Sequence, residues 1–240
     1  MKPLVIIKTG STFPTTKRQY GDFEDWVIDG CASTAPIFLV IDVIKSQKLP
    51  EPDGISGVII TGSHAMVTDQ TSWMVKVEAW IPKVLKQNIP LLGICFGHQI
   101  LAQAMGGLVD YHDGGREIGT VQITLTQEGK QDPLTGTLPS IFVGHTTHAQ
   151  TVKKLPTGAQ LLALNSFESH HAYRIGNNAW GFQFHPEFTA DIMKKYVIEQ
   201  ASSLISEGYN IDTLQSSICN TNNANGLLKR FVGFVRENVS

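Results

Sequence analysis

Three side chains in this sequence are of the types that thiol chemistry requires. Cys95 stands in Leu91-Leu92-Gly93-Ile94-Cys95-Phe96-Gly97-His98-Gln99, and His185 and Glu187 stand in Gly181-Phe182-Gln183-Phe184-His185-Pro186-Glu187. A thiol attacks as its thiolate, an imidazole takes the proton, and a carboxylate behind the ring fixes the tautomer and stabilises the imidazolium. Pro186 biases His185 toward extended backbone, where residues i and i+2 point the same way. Glu187 is then within reach of one His185 nitrogen, and the other is left to face a thiol. Each residue also has a plain reading: a small buried hydrophobe for Cys95, a surface pair for His185 and Glu187.

The elements around Cys95 favour chemistry. The apolar run from Ile89 to Ile94 predicts a buried strand that stops at the cysteine. Gly93 and Gly97 bracket it, and a helical pattern (Ile100, Leu101, Ala104, Met105) follows at once. Strand, sharp turn and helix push a nucleophile out of a sheet into a cleft, and the helix N-terminus favours a thiolate there. His98 then falls in the helix's first turn, behind the nucleophile.

The rest of the chain supplies a scaffold. Leu4 to Ile7, Ile37 to Ile44 and Gly57 to Ile60 read as further buried strands, with a short helix from Asp22 to Ile28 and a polar link from Lys45 to Gly54. Thr71 or Ser72 begins a helix running to about Gln87, with Trp73, Val77, Trp80, Ile81 and Val84 on one face. Alternating strands and helices predict βαβ units and a mainly parallel sheet, whose ligands sit beyond the carboxyl ends of the strands. Thr9–Ser11, Thr61–His64 and Cys95 should therefore share one rim. After the helix of residues 98–106 the pattern turns antiparallel: Gly119 to Thr126 alternates, Leu161 to Leu164 is apolar, and His171–Ile175 with Ala179–Phe184 predicts a hairpin. Two helices, Ala190 to about Glu207 and Asn222 to Glu237, close the chain. No repeat or linker interrupts it, so residues 1–240 read as one α/β domain.

Composition narrows the function. Of the 240 residues, 42% are hydrophobic and 17% charged, as in a globular chain. A net charge of -2 leaves no basic footprint for nucleic acid. Three widely spaced cysteines (Cys31, Cys95, Cys219) suggest a reducing compartment. The N-terminal apolar run, about five residues, is too short for a signal segment, and none nears the ~20 residues of a membrane helix. The expectation is a soluble, cytoplasmic protein.

Gly-Ile-Cys-Phe-Gly-His-Gln at 93–99 together with Gly-Phe-Gln-Phe-His-Pro-Glu at 181–187 resembles the class I, triad-type glutamine amidotransferases. The match runs from about residue 57 to about 190. The resemblance implies a flavodoxin-like fold, a Cys95–His185–Glu187 triad, and hydrolysis of a γ-glutamyl amide through a thioester with release of ammonia. It implies oxyanion donors among the backbone amides of Gly62, Ser63 and Phe96, where many members carry two glycines and a proline in the first loop. The Gly62-Ser63 form looks like stand-alone members, including plant γ-glutamyl peptidases. Gln99 matches the glutamine that helps hold substrate. Gly144-His145-Thr146-Thr147-His148-Ala149-Gln150 matches a loop that binds the substrate's amino-acid end, with His148 at the family histidine and Gln150 in place of an acid. Thr147 and His148 are accordingly candidate substrate-binding residues.

The remaining residues have plainer expectations. His145 and His148 have no cysteine or paired acid nearby in sequence, so no metal is expected, and the hydrolytic half-reaction needs no cofactor. His170 and His171 should open a strand in solvent; Trp73, Trp80, Phe182 and Phe184 should be core. The resulting expectation is a glutaminase; since no ATP-binding loop is present, any ammonia acceptor, as in guanylate synthesis, is expected on a separate synthase, while the Gly62-Ser63 loop and Gln150 tilt the reading slightly toward an independent enzyme. The alternatives are a self-sufficient γ-glutamyl peptide or amide hydrolase and, from another class, a regulatory module that has lost catalysis.

Overall fold

A computed structural model describes residues 2–31 and 37–238. Its strands are β1 (Leu4–Lys8), β2 (Phe38–Asp42), β3 (Gly57–Ile60), β4 (Leu91–Ile94), β5 (Leu108–Tyr111), β6 (Glu117–Leu125), β7 (Ile141–His148), β8 (Gln150–Lys154), β9 (Gln160–Leu164), β10 (Ala172–Ile175) and β11 (Ala179–Phe182). The α-helices are α1 (Pro14–Tyr20), α2 (Phe23–Cys31), α3 (Ser72–Lys86), α4 (Phe96–Ala104), α5 (Gln127–Gln131), α6 (Ala190–Glu199), α7 (Ala201–Ser206), α8 (Ile211–Ser217) and α9 (Asn222–Asn238). One nine-stranded sheet runs β2-β1-β3-β4-β11-β10-β9-β6-β7, and β5 pairs with β8 in a small antiparallel sheet. The neighbours from β2 to β11 are parallel, and from β11 onward each pair is antiparallel.

Near-continuous apolar sequence explains the parallel half. β1, β3 and β4 are buried along their whole length, as strands covered on both faces must be. Alternate side chains divide between two cores. Leu4, Ile6, Ile59 and Leu92 pack with α2 and α9; Val5, Ile7, Val58 and Leu91 pack with α3 and α4. A third, aromatic cluster of Phe23, Trp26, Phe188 and Tyr196 joins α2 to α6.

Several boundaries differ from expectation. α1 was not foreseen because only Thr16 of its seven residues is buried, so it carries no apolar stripe. α8 buries no residue at all. The helix expected from Ala190 to Glu207 breaks at Gln200 into α6 and α7. On α3 the buried face uses Met74 where Trp73 was expected; Trp73 is half-buried against Phe96, ring centroids 5.4 Å apart. Phe182, Phe184 and Trp80 are core, as expected. Among the described residues no helix is long and apolar enough to cross a membrane.

Candidate active site

β4 ends at Ile94, and Cys95 turns the chain into α4 with φ 50° and ψ -99°. A non-glycine residue held there stores on the order of 1–3 kcal/mol of strain. The turn closes only because its flanks are glycine. A Cβ on Gly93 would lie 2.2 Å from the Gly97 oxygen, and one on Gly97 would lie 2.3 Å from the Ile60 oxygen. The Cys95 N–H donates to the Phe182 carbonyl at 2.8 Å, which ties the turn to β11. The sulfur lies 3.9 Å from the Thr147 oxygen.

Because β11 runs parallel beside β4, the chain leaving it passes the nucleophile. β11 stops at Phe182, short of the expected Phe184. Pro186 and Glu187 lie in a turn, with Phe188 N–H donating to the His185 oxygen at 3.4 Å. That turn, and not an extended strand, brings Glu187 Oε1 to 2.8 Å from His185 Nδ1. The ring is stacked on Phe188 at 4.1 Å, and its other side meets Gly62, where a Cβ would lie 3.1 Å from Cε1. Among the described residues Nε2 has no hydrogen-bond partner. Burial opposes an imidazolium here, but the charges of Glu187 and of the Cys95 sulfur outweigh it and raise the His185 pKa to about 10. One nitrogen is held by Glu187 and the other is left without a hydrogen-bond partner among the described residues.

The Gly62 carbonyl accepts from Thr9 Oγ1 at 2.9 Å and from Thr61 Oγ1 at 3.0 Å. With that carbonyl anchored toward β1 and no cis peptide among the described residues, the Ser63 N–H points the opposite way. Ser63 Oγ donates to the Thr9 oxygen at 2.8 Å, holding the loop. The Phe96 N–H stands in the first turn of α4, where no intrahelical acceptor exists. Ser63, Cys95 and Phe96 all border a cavity of about 750 Å3.

One wall of that cavity is formed by Gln99 and the 147–150 stretch. Both Gln99 N–H groups are used, on the Gln150 oxygen at 2.8 Å and on Gln183 Oε1 at 2.9 Å, which leaves its own oxygen as an acceptor. His148 borders the cavity with its backbone, because both ring nitrogens are engaged: Nδ1 donates to the Gln150 oxygen at 2.9 Å and Nε2 lies 3.1 Å from Glu117 Oε2. Thr147 Oγ1 accepts from Gln200 at 3.3 Å. The Gln150 side chain turns away to the Val67 N–H at 2.9 Å and Thr68 Oγ1 at 2.6 Å. The opposite wall is aromatic, with Phe13, Phe23, His64 and Tyr196. His98 is buried behind the nucleophile, and burial holds its pKa well below the usual value. Among the described residues no group of three or more His, Cys, Asp or Glu side chains is placed to hold a metal ion.

The model of the family described as glutamine amidotransferase class-I matches residues 37–203. The chain belongs to the class I glutamine amidotransferase family. A GMP synthase (glutamine-hydrolysing) from Porphyromonas gingivalis is 36% identical over 61% of this chain, a stretch that is 28% of that protein's length. Gamma-glutamyl peptidase 4 of Arabidopsis thaliana is 33% identical, over 74% of this chain and 72% of that protein. A Thermotoga maritima glutamine amidotransferase crystal structure superposes with a TM-score of 0.78 over 99% of this chain and 100% of that one, at 22% identity. The flavodoxin-like fold expected from the two motifs is thus found in solved family structures.

Three residues of the site's surroundings were not foreseen. His171, expected in solvent, is fully buried with Nε2 3.3 Å from Glu117 Oε2. Glu117 itself is buried, and Gln183 is the unforeseen partner of Gln99. The sequence signal for them was weak: an acid opening an alternating strand, and a glutamine interrupting the apolar run before His185.

Proposed function

We propose that this protein hydrolyses the γ-amide of glutamine, with Cys95 as nucleophile, His185 as base and acid, and Glu187 as the group that orients His185. The observation that carries this reading is His185 pinned by Glu187 through Nδ1 at 2.8 Å, with Nε2 unpartnered among the described residues and the Cys95 sulfur near enough to raise the ring's pKa. With His185 holding the thiol proton as an imidazolium, the Cys95 thiolate adds to the amide carbon. The tetrahedral oxyanion receives the N–H groups of Phe96 and Ser63, each worth roughly 3 kcal/mol of barrier. Collapse breaks the carbon–nitrogen bond, His185 returns the proton to the nitrogen, ammonia leaves, and water hydrolyses the thioester to glutamate. The free oxygen of Gln99 is the acceptor for the substrate's α-ammonium, and the Thr147–His148 backbone lines its amino-acid end. A synthase that accepts the ammonia is the partner this reading takes from the GMP synthase relative. A sheet that draws strands from both halves of the chain supports reading it as one domain, and three widely spaced cysteines support a reducing, cytoplasmic setting.

A second reading has its own support. A cavity of about 750 Å3 falls in the range of drug-sized ligand sites. The γ-glutamyl peptidase relative also matches most of both chains. A γ-glutamyl peptide or related amide is the alternative substrate, with the same acyl half.

The test is glutamate release from purified protein given glutamine or a γ-glutamyl dipeptide, with Cys95→Ala as control. Cys95-dependent turnover of either supports the hydrolase, and the preferred substrate decides between the readings. Absence of turnover on both, with folded protein, contradicts them.

A further inference from the structure

Six buried polar residues form a ring of hydrogen bonds, joined by one ion-pair contact, beneath the cavity wall. Gln99 Nε2 donates to the Gln150 oxygen at 2.8 Å, and His148 Nδ1 donates to the same oxygen at 2.9 Å. His148 Nε2 meets Glu117 Oε2 at 3.1 Å, and His171 Nε2 lies 3.3 Å from the same atom, an ion-pair contact without hydrogen-bond geometry. The His171 carbonyl accepts from Gln183 N–H at 2.8 Å, and Gln183 Oε1 accepts from Gln99 at 2.9 Å. No member is more than 7% exposed. The ring ties together α4 behind the nucleophile, the ends of β6, β7 and β8, and the segment leading into His185.

Glu117 is the member that cannot be exchanged for a neutral isostere. Two imidazole nitrogens and, at 2.8 Å, Asn165 Nδ2 converge on its two oxygens. A carboxylate offers acceptors only, whereas a glutamine would turn an NH2 against a donor. Burial works to raise its pKa, but His148 and His171 hold it well below the usual carboxylate range. Glu117 and His148 are also direct cross-strand partners on β6 and β7, so the register places them together. A second buried acid, Glu168, stays 3.9 Å from His148 Nδ1 and is occupied by Thr151 Oγ1 at 2.8 Å.

We propose that Glu117 is the positioning residue of this site, closing the ring that holds Gln99 and the 147–150 stretch in place for the substrate's amino-acid end. This rests on the reading that those residues hold that end. It touches no reacting atom, so its loss should act on binding more than on chemistry.

The test compares Glu117→Gln with Asp132→Asn, a buried acid bonded to Trp180 Nε1 and Arg174 outside the ring. Both variants should lose thermal stability. Glu117→Gln should raise KM for glutamine about 10-fold or more with kcat within about 3-fold, and Asp132→Asn should leave KM unchanged. Hydrogen exchange of the Gln99 side-chain amide, followed by NMR, reads the ring without turnover. Its protection should be lost in Glu117→Gln and kept in Asp132→Asn. The proposal is overturned if stability alone changes, or if both variants shift KM and exchange equally. Should the wild type turn over neither glutamine nor a γ-glutamyl dipeptide, the hydrolase reading fails, and the exchange result alone decides the role of Glu117.

Discussion

Two histidine–carboxylate pairs border the same cavity through their histidines. His185 meets Glu187 at 2.8 Å and His148 meets Glu117 at 3.1 Å, and all four residues are buried. What separates them is the second nitrogen. Among the described residues His185 Nε2 has no hydrogen-bond partner, whereas His148 Nδ1 is spent on the Gln150 carbonyl. An imidazole with one free nitrogen can move a proton; one with both nitrogens engaged can only hold parts together. His145, next to them, meets no carboxylate among the described residues. Burial, followed by the charge of His185, lowers its pKa to about 4.

The sharpest break in this comparison is removal of the sulfur. Cys95→Ala should lower turnover at least about 10^4-fold, whereas Cys31→Ala should leave it unchanged, since burial pushes the Cys31 thiol up to about 12. Steady-state rates of both variants measure this.

Glu187→Gln should cost about 10^2- to 10^4-fold in kcat, because an amide leaves the imidazolium without its charge partner. Glu117→Gln should spare kcat. Equal kcat losses would erase the distinction between the two pairs. Gly62→Ala should then cost about 10-fold in kcat by displacing the His185 ring, from which the new methyl would lie only 3.1 Å away.

The smallest effect concerns stability, and its sign differs between two histidines. His185, raised from 6.5 to about 10, favours folding fully below pH 6.5 and loses that contribution as pH rises toward 10. His145, lowered from 6.5 to about 4, favours folding above pH 6.5 and loses up to roughly 3 kcal/mol as pH falls to 4. Thermal melts across pH 4–10 should therefore fall at both ends. Glu187→Gln should flatten the alkaline arm and His145→Asn the acid arm.

Much of this arrangement was legible in the sequence, for local reasons. Cys95, His185 and Glu187 each sit in a stretch whose strand, glycines or proline act within a few residues. β1, β3 and β4 are continuous apolar runs, readable without knowing their neighbours. The ring around Glu117 was not legible, because topology assembles it: residues 99, 117, 148, 150, 171 and 183 meet only once β6 and β7 pair in register and β11 lies beside β4. His171 looked solvated because its own segment is polar, yet it is covered by partners far away in sequence. The i, i+2 rule joined His185 to Glu187 correctly but for a different backbone reason, a turn at Pro186.

The central claim is that Cys95, and no other thiol, attacks a γ-glutamyl carbonyl in this cavity. A diazoketone analogue of glutamine places an electrophile where that carbonyl would sit, and intact-mass and peptide mass spectrometry read where it lands. A single adduct on Cys95, suppressed by excess glutamine and slowed in Glu187→Gln, is the predicted result. Labelling of the exposed Cys219 at an equal rate, or no glutamine-protected adduct on Cys95, would contradict it.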